Sequence, residues 1–185
     1  AGLKKEFNGQ KITYILHGNQ SGLATDLIHH LDYIAFITGS NEFSLDTDLL
    51  DKKTIESKRK GYLEMTGTLT AKFKNGGLGL FRCDNIGSSP KTIEIFSEDK
   101  RYVIRESESK ALTSKAPDWP WQEISAPIPY QSQLTTTLVE NLLKTGKCEL
   151  PTYEESSKYH LLALEPLLKF LNKNSKKKYD YYPFT

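Results

Sequence analysis

Only two cysteines, Cys83 and Cys148, occur among 185 residues, and neither belongs to a Cys-x-x-Cys pair. They read as reduced thiols of a cytoplasmic protein, with a single disulfide as the other option. The four histidines lack the spaced Cys, His or carboxylate partners of a zinc centre, so no metal site is expected. No apolar run approaches the roughly 20 residues that a membrane-crossing helix needs. The opening Ala1-Gly-Leu-Lys-Lys-Glu has no signal-peptide core; without an initiator Met it reads as the start of an excised fragment. No Gly-x-Gly-x-x-Gly and no P-loop follows a strand and opens a helix, which leaves a nucleotide phosphate without its usual cradle. An excess of one charge is missing too. Twenty-five basic against 23 acidic residues leave +2, no footprint for nucleic acid.

What is present describes one soluble globular domain over residues 1–185, 37% hydrophobic and 26% charged, long enough for a real core. Its organising stretch runs from Ser21 to Thr38. Ser21 suits a helix N-cap, and Gly39 suits the stop. Leu23, Leu27, Leu31 and Ile34 recur on one helical face and predict core packing. At about 100° per residue, Thr25, His29, Asp32 and Phe36 fall together on the other side. A hydroxyl, an imidazole and a carboxylate therefore share one stripe. Such a stripe is either a solvated face or a site. Phe36 and Ile37 make it too apolar for plain exposure, so something is expected to cover it. Histidine is also the side-chain type whose ordinary pKa lies near working pH, which suits proton transfer. His30 points about 100° away and reads as surface or a partner contact.

Before this helix, residues 11–18 read as a strand. His17 at its end is a plain strand-end residue or a second histidine facing the cleft of His29. Residues 43–51 read as loop or short strand. Lys58 and Arg59 sit in a basic run that is either a solvated connection or an anion-facing loop. From Tyr62 to Ile104 the period is two. Asn75-Gly76-Gly77 marks one hairpin, and residues 91–96 and 101–105 form another. Gly67 inside a strand marks a bulge or the close approach of another backbone. The Pro- and Trp-rich stretch to Pro129 is extended; Trp119 and Trp121 either stack on a sugar ring or anchor the loop. Helices follow at 131–145 and after the capping box Thr152-x-x-Glu155. Leu161, Leu164, Leu168 and Leu171 are assigned to the buried side of the last helix, Pro166 to a kink, and His160 to a structural role. Residues 173–185 form a tail whose basic run, 173–178, reads as mobile and whose aromatic end, 179–184, docks on the body or on a partner chain.

The run Gly22-Leu-Ala-Thr-Asp-Leu-Ile-His29-His-Leu-Asp32, closed by Ile37-Thr-Gly39, resembles the first helix of the C-terminal domain in Gfo/Idh/MocA-type oxidoreductases. The family pattern there is roughly Asp-x-x-x-His-x-x-Asp. His29 and Asp32 match it, Thr25 stands where the first Asp would, and Asp26 is one residue out of register. Ser57-Lys58-Arg59, Gly61-Tyr-Leu-Glu64, Gln131-Ser-x-Leu-Thr135 and Leu150-Pro-x-Tyr-Glu-Glu-Ser156 resemble a group encoded with surface-polysaccharide genes.

The resemblance implies an α+β domain: an open, mostly antiparallel sheet with helices on one face, lacking the Rossmann domain. Its function would be substrate binding and oligomerisation in an NAD- or NADP-dependent oxidoreductase acting on a sugar or nucleotide-sugar hydroxyl, inactive as a fragment. The cofactor would be held mainly by the absent N-terminal domain. His29 would be the acid/base, oriented by Thr25 and Asp32, with Lys58, Arg59, His17 and Trp119 as substrate contacts. A homo-oligomer through the sheet face, without nucleic acid or membrane, completes the expectation. The competing reading is a non-enzymatic carbohydrate-binding or assembly module built on Trp119, Trp121 and the Lys58–Arg59 loop.

Overall fold

The structure is a computed structural model that describes residues 2–19, 22–147 and 150–184. In chain order the elements are α1 (Gly2–Phe7), β1 (Thr13–Asn19), α2 (Leu23–Thr38), β2 (Phe43–Asp46), β3 (Ile55–Glu56), β4 (Leu63–Glu64), β5 (Gly67–Phe73), β6 (Leu78–Asp84), β7 (Thr92–Phe96), β8 (Lys100–Arg105), a 3-10 turn (Glu106–Glu108), β9 (Lys110–Lys115), β10 (Gln122–Ser125), α3 (Gln131–Thr145) and α4 (Tyr153–Asn174). Eight strands form one sheet in the order β10-β9-β8-β7-β1-β6-β5-β2. Every neighbouring pair is antiparallel except β1 and β6, which run parallel with Thr13 opposite Leu78. The sheet is therefore α+β and mostly antiparallel, as expected. β3 and β4 pair separately as a short arm.

Alternation gives the sheet two faces. Tyr14 and Leu16 of β1, Leu69 and Ala71 of β5, Phe81 and Cys83 of β6, and Ile93 and Ile95 of β7 are buried under helices. Thr13, Ile15 and His17 alternate onto the opposite, open face. α2 lies on the closed face because Leu23, Leu27, Leu31, Ile34 and Ile37 are almost wholly buried, each contributing about 2 kcal/mol by leaving water. Gly39 ends it in the left-handed conformation, its N–H bonded to Ala35. α1 and α4 flank α2. Tyr159 of α4 packs edge-on to Phe43 and donates to the Leu31 carbonyl at 2.6 Å.

Several expectations change. Ile37 is core, not part of the outer stripe, and Lys4 stands over the exposed Phe36 ring at 4.6 Å. The buried line of α4 is Tyr159, Ala163, Leu167 and Leu171, leaving Leu161 42% exposed. An aromatic and an alanine complete a four-residue spacing that a count of leucines overlooks. β9 and β10 lie in the stretch read as merely extended, and α1 in a stretch to which no element was assigned. Ser21 and Cys148 lie outside the described residues. Of the two places read for the aromatic end, the body is the one occupied: the Leu63 N–H donates to the Pro183 carbonyl at 2.7 Å, and Phe184 is buried. Gly67 carries a positive φ of 104°, and a Cβ there would come within 2.6–2.8 Å of the backbone at 49–51, so the close approach is of backbone.

His30 is the largest departure. It faces the core, 8% exposed, with Nδ1 2.7 Å from the Tyr14 hydroxyl. Burial, with Lys91 adding to it, pushes its pKa down to about 4. An unfolded chain then takes up the proton first, so this contribution is present above about pH 6.5 and is lost as the pH falls towards 4. Between about pH 7 and 4 the protein should lose about 3 kcal/mol more stability than a His30→Gln variant, compared by urea denaturation. Equal losses would rule out a histidine buried in its neutral form.

Candidate functional site

α2 begins at Gly22, which caps it in the left-handed conformation without a side-chain bond of its own. The unpaired amides of a first helical turn need acceptors, and here one carboxylate from another element supplies them. Glu64 of β4 points under the helix start and is 5% exposed. Its Oε1 accepts from the Ala24 N–H at 2.5 Å and from its neighbour Met65 at 2.9 Å. Its Oε2 accepts from the Thr25 N–H at 3.3 Å and the Thr25 hydroxyl at 2.6 Å. A buried carboxylate tolerates its surroundings when its oxygens are filled in this way, and the positive end of the helix adds to the attraction. A Cβ on Gly22 would meet Oε2 at 2.8 Å, so the glycine leaves room for the carboxylate.

Beside this junction lies a cavity of about 780 Å³, within the range of small-molecule sites. Thr25, Ile28 and His29 of α2 form one wall, Glu64 and Cys83 line it from the strands, and Thr66 from the link between β4 and β5. The β3–β4 arm supplies Ile55 and the turn Ser57-Lys58-Arg59. Lys58 and Arg59 are exposed and form no ion pair among the described residues. Asp26, also in the lining, is already neutralised by Lys91 at 2.9 Å. The cavity thus sets an imidazole and a hydroxyl opposite two cations.

Four of the seven residues selected from sequence, His29, Thr25, Lys58 and Arg59, meet here. The other three do not. Asp32 lies one turn beyond His29, outside the lining, with His160 of α4 3.8 Å away. Desolvation raises the Asp32 pKa, against the opposing pull of His160 and His29. Thr25 commits its proton to Glu64 and so cannot donate it to His29. His17 alternates onto the open face and lies 3.2 Å from Asp84, whose carboxyl is held below its usual range first by Arg82 and then by His17. Trp119 is on the open face as well: it and Trp121 stack over Arg101, at 5.3 and 4.3 Å from the ring centres. That is anchoring, not part of the cavity. Glu64 is what the sequence reading missed. Its signal was an acid at an inward position of an alternating strand, between Leu63 and Met65.

The described residues hold no cluster of His, Cys, Asp and Glu able to bind a metal ion. None of their helices is long and apolar enough to cross a membrane. A dinucleotide fits poorly at the β1–α2 junction, because Glu64 already occupies the amides on which a pyrophosphate would sit.

No family model and no curated sequence matches the chain. Solved structures do. UDP-N-acetylglucosamine 3-dehydrogenase GnnA from Acidithiobacillus ferrooxidans superposes with a TM-score of 0.64 at 9% identity, over 91% of this chain and 56% of that one. A levoglucosan dehydrogenase in complex with NADH and L-sorbose gives 0.60 at 14%, over 94% and 60%. The dehydrogenase MviM from Clostridium difficile gives 0.58 at 10%, over 91% and 58%. At such identities the likeness is one of fold, and the chain spans under two thirds of each neighbour's length. What this chain shares with part of each of these dehydrogenases is the α+β fold with its mostly antiparallel sheet.

Replacing Glu64 by Ala should strand the Ala24 and Thr25 amides and cost about 1–3 kcal/mol. Hydrogen exchange at those two amides should rise ahead of the rest of α2. Unchanged exchange there would mean that Glu64 does not cap the helix.

Proposed function

We propose that this chain is the substrate-binding and oligomerisation domain of an NAD- or NADP-dependent oxidoreductase that acts on a sugar or nucleotide-sugar hydroxyl, in surface polysaccharide biosynthesis. The observation that carries the reading is the meeting of His29 and Thr25 with Lys58 and Arg59 around one cavity, in a fold shared with sugar dehydrogenases. The words that resemble the polysaccharide-linked group support the pathway. His29 takes or returns the proton of the substrate hydroxyl, a task that suits an imidazole at the wall of a cavity. Lys58 and Arg59, without an ion pair among the described residues and on a short arm, hold a phosphate or carboxylate of the substrate. The nicotinamide, which exchanges hydride with the substrate carbon, belongs to a domain outside these 185 residues, since Glu64 fills the place of its phosphates here.

The carbohydrate-binding module is the weaker reading. Arg101 alternates with buried Tyr102 and so stands on the open face with Trp119 and Trp121, away from Lys58 and Arg59. One sugar would not reach both groups.

The open face supplies the subunit contact. Leu80, Ile15, Glu94, Val103 and Leu112 lie side by side across five strands, a part-exposed and largely apolar row. Ile15→Arg should therefore shift the protein to monomer by light scattering with its circular dichroism unchanged; a variant that keeps the parent's mass would remove this face from the assembly.

Activity tests the rest. The 185-residue chain with NAD or NADP and UDP-N-acetylglucosamine or levoglucosan should give no turnover. A chain carrying a dinucleotide-binding domain in the same frame should turn over, and His29→Ala should lower its kcat by about 10²–10⁴-fold. Turnover by the short chain, or full activity in the variant, would sink the assignment.

A further inference from the structure

Thr25 has one hydroxyl proton, and Glu64 holds it at 2.6 Å. The carboxylate has no proton of its own to offer in return, and each of its oxygens already accepts two hydrogen bonds. The remaining lone pairs of Thr25 Oγ1 can therefore only accept. Thr25 and His29 stand one helical turn apart in the wall of the same cavity. Glu64 touches that wall from beneath and is itself almost inaccessible.

We propose that Glu64 is a positioning residue that fixes Thr25 as an acceptor-only contact, so that the cavity selects a ligand hydroxyl whose proton points at Thr25 beside His29. A carbonyl, ether or fluorine in the same place would set acceptor against acceptor and be rejected. Sites that pair a buried polar group with a ligand hydroxyl discriminate strongly against the analogue lacking it, because the site's own group is left unpaired. The selection rests on the sugar-binding reading of the cavity and adds a polarity to it. It also separates the duties of two neighbours: His29 moves a proton, and Thr25 only receives a hydrogen bond.

The test uses the 185-residue chain, with UDP-N-acetylglucosamine and levoglucosan as probes followed by amide NMR shifts. In the parent chain at least one probe should shift the amides of Thr25 and His29, and the Thr25 hydroxyl proton should be visible in slow exchange. Thr25→Ser keeps both the proton and the acceptor and should bind within about twofold of the parent. Thr25→Val keeps the shape but not the acceptor, and should bind at least about tenfold more weakly. Glu64→Gln can hand a proton back to Thr25; it should also bind at least about tenfold more weakly and lose the slow hydroxyl signal. Should Thr25→Val fail to fold, the comparison of Thr25→Ser with Glu64→Gln decides alone. Parent-like binding in a folded Thr25→Val or in Glu64→Gln overturns the inference and leaves the sugar site standing. Binding of neither probe by the parent overturns the sugar site and this inference together.

Discussion

One carboxylate under one helix holds the site in register. α2 reaches the sheet through its apolar face, but burial alone leaves a helix free to slide or tilt by a fraction of a turn. The contacts of Glu64 to two amides and a hydroxyl of the first turn are directional, and they come from an element about 40 residues further along the chain. They tie the start of α2 to the arm whose turn bears Lys58 and Arg59. The spacing between the imidazole on one wall and the cations on the other is thus fixed by a bond between the walls. Glu64 also keeps the positive helix end from attracting anions, which leaves the arm as the place where charge on a ligand would be felt.

The sheet separates two kinds of work. The closed face is filled by α2 and its flanking helices, with the cavity beside the start of α2. The open face carries an apolar row bordered by charged pairs such as Arg82–Asp84, and a guanidinium in contact with two indoles. His17 and Trp119 belong to that second face, which is why neither joins His29. A sequence gives the alternation of a strand but not which of its two sides the helices cover.

Long-period features were legible and short cross-chain ones were not. The helical spacing of Leu23, Leu27 and Leu31, the Gly39 stop, the hairpin at Asn75-Gly76 and the Thr152–Glu155 capping box are local patterns, and each is present. The cavity was half legible: the Thr25–His29 spacing placed two residues on one wall, and the resemblance brought in Lys58 and Arg59. Glu64 was not, because a helix cap supplied from another strand leaves no mark near the helix. His30 misled for a related reason. Its neighbour His29 is exposed, and a histidine pair carries no sign of which ring has a tyrosine waiting in the core. Asp32 was assigned to His29 by helical spacing, whereas α4, arriving from residue 160, provides the nearer histidine.

The parallel pairing at the middle of the sheet bears on how the chain assembles. β1 is made early but lies between β6 and β7, with Thr13 opposite Leu78 on one side and Phe96 on the other. The two hairpins β5–β6 and β7–β8 can zip up from nearby residues, yet each has an unsatisfied inner edge until β1 enters between them. Closing loops of that length carries an entropic cost that local contacts do not repay, so the central insertion is the slow event. During synthesis the first strand leaves the ribosome well before either of its partners, and until they arrive its apolar side, Tyr14 and Leu16, has only α2 to shelter it.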